Sequence, residues 1–355
     1  MGRKAVSCLL HVLGVIFTAL LLAAAVVSWR ASYVSPERGD FWASIALLMP
    51  VILLVNLAAM IWWLARRRWG VAMMPLAALV LNMGYVSSMI QLPDIRVGEK
   101  GSDLKVGTLN VNGFRRLSRL APSARAIARL ARREEIDVLC MQEFVEEGAY
   151  PADSIAALFA PEMPYFVRRN GQALVSRYPI LDSYYGSFPD TDNDYMWADL
   201  AVGDDTVRIF SVHLQTSGVS ALRRRFRKDY NRDAPVDRVM GEVERNSKIR
   251  ARQVDEIRSA ADKTRWPVVV AGDFNDTPSS YSYRKLKGDL RDGFRAAGNG
   301  YGGTFRYLGG LLRIDYIFYD NDRFQGVRYY MPRDDVSDHK MVVAELRLRD
   351  EIQNS

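Results

Sequence analysis

Hydrophobic positions follow two different patterns, and the chain changes from one to the other near residue 100. Before that point they form long, nearly unbroken runs over residues 5–29, 41–65 and 71–92, each of a length that spans a bilayer as a helix. After residue 103 the apolar runs are short and are punctuated by Gly, Pro, Asn and Asp, the texture of strands, turns and helices. LKVGTLNVNGF, ending in Asn110, Asn112 and Gly113, IDVLCMQEF, GQALVSRYPI, TVRIFSVHLQ, VVVAGDFN, RIDYIFYD and residues 341–348 read as strands; residues 123–134 read as a helix capped by Ser123, and 223–257 as a basic helical segment. This order fits two packed sheets with outer helices better than a doubly wound parallel sheet.

The three runs imply a membrane region over residues 1–92, a linker at 93–102, a globular domain at 103–348 and a short tail at 349–355. Trp42, Trp62, Trp63 and Trp69 fall near the ends of the runs, where amphipathic rings settle at a membrane interface. Arg3 and Lys4 lie on the same side as Arg66, Arg67 and Arg68, which makes that side cytoplasmic and the globular domain periplasmic or otherwise extracytoplasmic. Two rivals are a cleaved signal peptide at the first run and a helical hairpin packed in a soluble core. The length of the first run and the presence of two more count against both.

Charge sharpens this division. The formal net charge is +7, but residues 1–100 hold nine Lys/Arg against four Asp/Glu, and residues 223–252 hold eleven against five. Outside one basic segment the globular part is therefore mildly acidic, and the overall positive charge does not by itself indicate nucleic acid. Two cysteines, Cys8 and Cys140, supply neither a disulfide framework nor a thiolate metal cluster. Of three histidines, His11 lies in an apolar run, which leaves His213 and His339 for chemistry.

Polar residues gather at the expected strand ends: Asn110, Glu143, His213, Asp273, Asn275, Asp315, Asp338 and His339. Alternate residues of a strand share a face, so the GDFN stretch presents Asp273 and Asn275 together. Hard oxygen donors without cysteine suit Mg²⁺, with Mn²⁺ or Ca²⁺ as substitutes. Glu143 is the leading ligand candidate, assisted by Asn110, with Asp338 as a further one. An imidazole near neutrality suits proton transfer, so His339 can take a proton from water if a carboxylate such as Asp315 fixes its tautomer, while His213 serves phosphate or the leaving oxygen. Asp273 and Asn275 would align the nucleophile and the phosphate, and Asn112 and His213 complete the substrate-binding candidates.

The ordered motifs TLNVNGF, MQEF, SVHLQTSG, GDFNDTPSS, RIDYIFYD and SDHKMVV resemble those of the endonuclease/exonuclease/phosphatase superfamily, which includes DNase I, AP endonucleases, inositol-polyphosphate 5-phosphatases and neutral sphingomyelinases. The resemblance covers residues 103–348. It implies a four-layer α/β/β/α sandwich and divalent-metal phosphoester hydrolysis. It also implies metal-side positions at Asn110 and Glu143, a phosphate-side histidine at His213, the GDxN pair at Asp273 and Asn275, a histidine partner at Asp315, and the SDH motif at Asp338 and His339. Asn112 stands where AP endonucleases have aspartate, and His213 where they have tyrosine, which points away from AP-site repair.

The expectation is a membrane-anchored phosphoesterase acting on a phosphodiester of a lipid or other envelope phosphate. A non-cytoplasmic nuclease and a noncatalytic phosphate-binding or scaffold protein are the alternatives. The basic segment would serve a phosphate-rich substrate or simply form a solvated helix. Tyr184, Tyr185, Tyr195 and Trp197 suit a hairpin edge or core better than a cleft, and no protein partner is expected.

Overall fold

The structure, a computed structural model, describes residues 2–39, 41–92, 101–117, 119–148, 150–189, 191–217 and 236–349. Most of the expected linker (93–100), the start of the basic segment (223–235) and the tail from residue 350 lie outside the described residues. The helices are α1 Arg3–Ala31, α2 Phe41–Leu47, α3 Met49–Ala65, α4 Trp69–Leu81, α5 Met83–Met89, α6 Leu120–Arg133, α7 Ala152–Ala156, α8 Val236–Asp262, α9 Tyr281–Lys287 and α10 Gly293–Ala297. The strands are β1 Ile90–Gln91, β2 Leu104–Asn110, β3 Val138–Gln142, β4 Tyr165–Arg169, β5 Gln172–Ser176, β6 Ile180–Ser187 and β7 Asp194–Val202. They continue with β8 Asp205–His213, β9 Val268–Asp273, β10 Arg291–Asp292, β11 Gly300–Tyr301, β12 Asp315–Tyr319, β13 Phe324–Tyr330 and β14 Val342–Leu348. Two compact units result: one contains residues 1–87, 218–251 and 279–284, the other 88–217, 252–278 and 285–355.

The helical unit packs α1 against α3 and α4. Trp63 Nε1 donates to Thr18 Oγ1 at 2.8 Å, Asn56 Nδ2 reaches Leu21 O at 3.4 Å, and Ser28 Oγ lies 3.5 Å from Met49 Sδ, so α3 runs antiparallel to α1. Asn82 Nδ2 approaches Ala25 O at 3.4 Å, which brings the end of α4 to the same end of α1 as the start of α3. Leu9, Leu13, Phe17 and Leu20 of α1 stay exposed, as do Leu54 and Ile61 of α3.

Among the described residues, only α1 is by itself long and apolar enough to cross a membrane, and the expected second and third continuous spans are corrected. The second is broken between α2 and α3 by a bend of 52°, the third between α4 and α5 by a bend of 57°. Pro50 lacks an amide hydrogen and sits in the first turn of α3, where none is needed, so it starts a new helix. Within the same unit Ser44 Oγ donates to Glu244 Oε1 at 2.8 Å and Ser279 Oγ to Ala46 O at 2.8 Å, so α2 is held by polar contacts to α8 and to the stretch before α9. Pro75 is accommodated inside α4; the second break falls at Asn82, whose amide bonds Ala78 O at 2.9 Å.

The second unit is a four-layer α/β/β/α sandwich. One six-stranded sheet has the order β10-β12-β9-β8-β7-β6, the other β13-β14-β2-β3-β5-β4. Only β2/β3 and β8/β9 pair in parallel among these neighbours. The inner faces meet through Val106, Cys140, Leu174, Ile209, Val269, Ile317 and Val342. Helix α6 covers the outer face of the second sheet with Leu120, Ala124, Ile127 and Ala131, spaced at helical intervals, against Leu109, Met141 and Val343. It begins at Leu120, three residues before the expected start, because Pro122 is tolerated in a first turn; Ser123 is inside the helix and its hydroxyl bonds back to Arg119 O at 2.9 Å rather than capping.

Candidate active site

Strict alternation along β2, β8, β9 and β12 carries the inter-sheet face from apolar residues to polar ones at one end. On β2 the sequence Leu104, Val106 gives way to Thr108 and Asn110; on β9, Val269 and Ala271 give way to Asp273. Across the first sheet the register aligns Asp194 with His213, His213 with Asp273, and Asp273 with Asp315, a row of four polar side chains on four adjacent strands. Gly272 makes the β8–β9 approach possible: its φ is 150°, and a Cβ there would lie 2.0 Å from Val212 O.

Asp273 is the hub. Its Oδ1 accepts the amide of Asn275 at 2.8 Å, and its Oδ2 accepts Asn110 Nδ2 at 3.0 Å and Asn275 Nδ2 at 3.3 Å. Asn110 Nδ2 also donates to Glu143 Oε1 at 2.9 Å, while its own oxygen accepts Asn112 N at 2.9 Å. Nε2 of His213 stands 3.7 Å from Glu143 Oε1 and 3.9 Å from Asp273 Oδ2; Nε2 of His339 stands 3.8 Å from Asp273 Oδ2. His339 Nδ1 lies 3.0 Å from each oxygen of Asp315, the arrangement that fixes an imidazole tautomer. Asn275 also donates to Leu214 O at 2.9 Å.

Seven of the nine candidates, Asn110, Glu143, His213, Asp273, Asn275, Asp315 and His339, thus join in one set of contacts. Asp338 and Asn112 stand at its margin. Asp338 Oδ1 lies 3.3 Å from Ser337 Oγ, and Asn112 enters through its backbone amide. Asn112, Glu143 and Asn275 all have left-handed backbones, with φ of 47°, 52° and 51°. Such conformations are uncommon away from glycine and concentrate where a side chain must be aimed.

Electrostatics separate the members. Burial pulls the His339 imidazole down, but Asp315 and Asp273 outweigh it and push the group up to about 10. Burial also pushes Asp273 up to about 6, opposed by His339, reinforced by Asp315 and opposed by His213. Among the described residues no Lys or Arg forms an ion pair with Glu143, Asp273 or Asp315. Ligand atoms of Asp273, Asp315 and His339 lie within 4.8 Å of one another, close enough to hold a metal ion. This concentration of hard carboxylate oxygens without thiolates fits a divalent cation of the Mg²⁺ type.

Sequence reasoning missed a buried ladder beneath the site. Gln142 Nε2 bonds Thr108 Oγ1 at 3.2 Å and Ser211 Oγ at 3.0 Å; Ser211 Oγ donates to Gln172 Oε1 at 2.6 Å, and Gln172 Nε2 to Asp194 Oδ1 at 2.9 Å. All five residues are buried, and together they tie the two sheets at the polar end. Thr108 and Ser211 were signalled as polar residues two positions from Asn110 and His213, but only the inter-sheet pairing joins them to Gln142, Gln172 and Asp194. Ser337, which opens the SDHKMVV motif but was not among the site candidates, also takes part: its hydroxyl donates to Asn110 O at 2.6 Å and accepts His339 N at 3.3 Å.

The profile of the Endonuclease/Exonuclease/phosphatase family matches residues 107–339, from β2 through His339. The chain belongs to this family. A second profile, of a domain of unknown function, matches residues 9–89. Among solved structures, an endonuclease/exonuclease/phosphatase from Beutenbergia cavernae is similar with 21% identity over 70% of this chain and 72% of that one, at a TM-score of 0.52. A family protein from Bacteroides thetaiotaomicron has 19% identity over 70% and 98%, at a TM-score of 0.50. A humanized D. rerio TDP2 has 17% identity over 69% and 98%, also at 0.50. These similarities establish the sandwich fold of the family. No match was found among curated proteins.

Proposed function

We propose that this family member is a divalent-metal-dependent phosphoester hydrolase, held at a membrane by its N-terminal helices, that cleaves a phosphodiester of a lipid or other envelope phosphate with water as nucleophile. The observation that carries the reading is the Asp315–His339 pair, buried and in contact with the same Asp273 carboxylate that reaches Asn110, Asn275 and His213.

Each residue has a part that its surroundings support. Glu143, whose side chain is 42% exposed, is the carboxylate accessible to a cation, whereas Asp315 is engaged by His339. Asn110 orients Glu143 and Asp273 through its amide; Asp338 is a further ligand candidate beside His339. A bound divalent ion would polarise a phosphoryl oxygen and offset developing negative charge. His339, oriented by Asp315, would take the proton of the attacking water once a bound divalent ion weakens the carboxylate field that otherwise keeps the ring charged, and His213 would donate to phosphate or the leaving oxygen. Asp273 and Asn275 would hold the reacting groups in line, with Asn112 at the substrate side.

Membrane attachment is supported by α1 and by the arrangement of the helical unit. The turn between α3 and α4 exposes Arg66, Arg67 and Arg68 toward the end of α1 that carries Lys4. With each bent pair counted as one span, three crossings result, and the basic end would be cytoplasmic. A reporter fused after Leu348 would then read as non-cytoplasmic; a cytoplasmic signal would reverse the topology.

Hydrolysis of bis-p-nitrophenyl phosphate by the full chain with Mg²⁺, abolished by EDTA, tests the reaction class. Equal turnover by wild type and His339→Ala would sink it and favour a phosphate-binding or scaffold role. Sphingomyelin, phosphatidylinositol phosphates, single-stranded DNA and duplex DNA compared side by side test the substrate. Cleavage of DNA with inert lipids would favour the nuclease reading.

A further inference from the structure

Residues 303–306 precede the RIDYIFYD strand and contain none of the candidate site residues, yet they are joined to both members of the Asp315–His339 pair. Thr304 is fully buried, and its hydroxyl oxygen accepts the amides of Ile314 at 3.1 Å and Asp315 at 3.2 Å. Its carbonyl accepts Lys340 N at 2.8 Å, and Gly303 O accepts Lys340 Nζ at 2.8 Å. Phe305 forms a β-bridge with His339 and lays its ring 4.9 Å from the imidazole.

Arg306 completes the connection. Its amide donates to Asp338 O at 2.9 Å. Its guanidinium donates from Nε to Ser337 O at 2.9 Å and from Nη2 to Asp334 O at 2.8 Å and Asp334 Oδ1 at 2.5 Å. One planar fork therefore closes a loop in which Ser337 touches Asn110, Asp338 flanks the site and His339 meets Asp315. A rigid fork can hold two carbonyls and a carboxylate at fixed angles, which an ammonium cannot.

We propose that Arg306 is a positioning residue of the site: by tying Asp334 and Ser337 together it sets the orientation of the His339 ring toward Asp273. This rests on the hydrolase reading above. The guanidinium does not touch the reacting atoms; it acts through the loop. Misplacement of a catalytic ring by a fraction of its working distance costs on the order of 10- to 100-fold in rate.

The test uses the full chain in detergent, with Arg306→Ala, Arg306→Lys and the surface control Arg132→Ala. With bis-p-nitrophenyl phosphate and Mg²⁺, Arg306→Ala is expected to lose kcat about 10- to 100-fold with little change in KM, and guanidinium at sub-denaturing concentration to restore much of the loss. The same guanidinium should not help His339→Ala or alter Arg132→Ala. The chain has only three histidines, so the ring NMR signal of His339 is identified by its loss in His339→Ala. That signal should shift or broaden in Arg306→Ala and recover with guanidinium.

If Arg306→Ala does not fold, Arg306→Lys decides, with a smaller loss of kcat and a ring shift in the same direction. A wild-type kcat and unshifted ring in the folded variant overturn the proposal, as does a loss that lies in KM alone or that guanidinium fails to rescue in a folded protein. Absence of metal-dependent hydrolysis in the wild type would instead sink the hydrolase reading, and the ring signal would still decide the positioning claim.

Discussion

The two sides of the candidate site are built differently. On one side, Asp315 and His339 are buried, 3.0 Å apart, and braced by Thr304, Phe305 and Ser337. On the other, Glu143 and His213 approach each other only to 3.7 Å, and the glutamate is 42% exposed. The closed side fixes the direction of the imidazole ring before anything binds. The open side leaves a carboxylate and an imidazole to adapt to a cation and to phosphate. A hydrolytic site needs both properties, because preorganised geometry aids the chemical step while an accessible ligand admits metal and substrate.

The largest expected effect breaks the closed side. His339→Ala should lower kcat by about 10³- to 10⁴-fold, and Asp315→Asn by about 10²-fold, measured at saturating Mg²⁺. Comparable activity in His339→Ala would remove the closed side from the chemistry. Glu143→Gln should act on the open side instead, raising the Mg²⁺ concentration for half-maximal rate by about 10- to 100-fold, read from a metal titration, while the His339 ring signal stays in place. His213→Gln should cost about tenfold or more in kcat without that metal dependence, which would separate the two members of the open side.

A smaller effect follows from charge. His339 rises from 6.5 to about 10 in the folded protein, so its contribution to stability is complete below pH 6.5 and is lost as the pH rises through 10. The cost from Asp273, raised from 3.8 to about 6, is absent below 3.8 and complete above 6, so it is constant across the window from pH 7 to 10. Metal-free protein should therefore melt at a lower temperature at pH 10 than at pH 7, and His339→Gln should flatten that difference. Magnesium should lower the ring's titration midpoint, since a divalent ion weakens the carboxylate field that holds the proton. The smallest effect is expected from Tyr185→Phe, which deletes a hydroxyl that donates to Asp194 Oδ2 at 3.2 Å and accepts Asn170 Nδ2 at 3.1 Å, and should cost about 1 kcal/mol in denaturant unfolding.

Much of this could be read from residue order alone. Alternation placed Asn110, His213 and Asp273 at strand ends, and the ordered motifs carried the family and the two-sheet sandwich. The hairpin expectation for the aromatic group also fits: Tyr184 and Trp197 face one another across β6 and β7, their rings stacked at 5.8 Å. The continuous second and third helices did not survive, because apolar composition records length and not the bends after Leu47 and Leu81. Ser123 suited a cap by residue type, but the helix had room for one more turn before it.

What the sequence determined by itself was which chemical groups would meet, since strand periodicity fixes the face each side chain takes. Tertiary structure decided how they meet. The left-handed backbones of Glu143 and Asn275, the ladder from Thr108 to Asp194 and the fork of Arg306 all depend on strands distant in sequence being brought into register. Hydrogen bonds between such strands depend on distances and angles that no local pattern encodes.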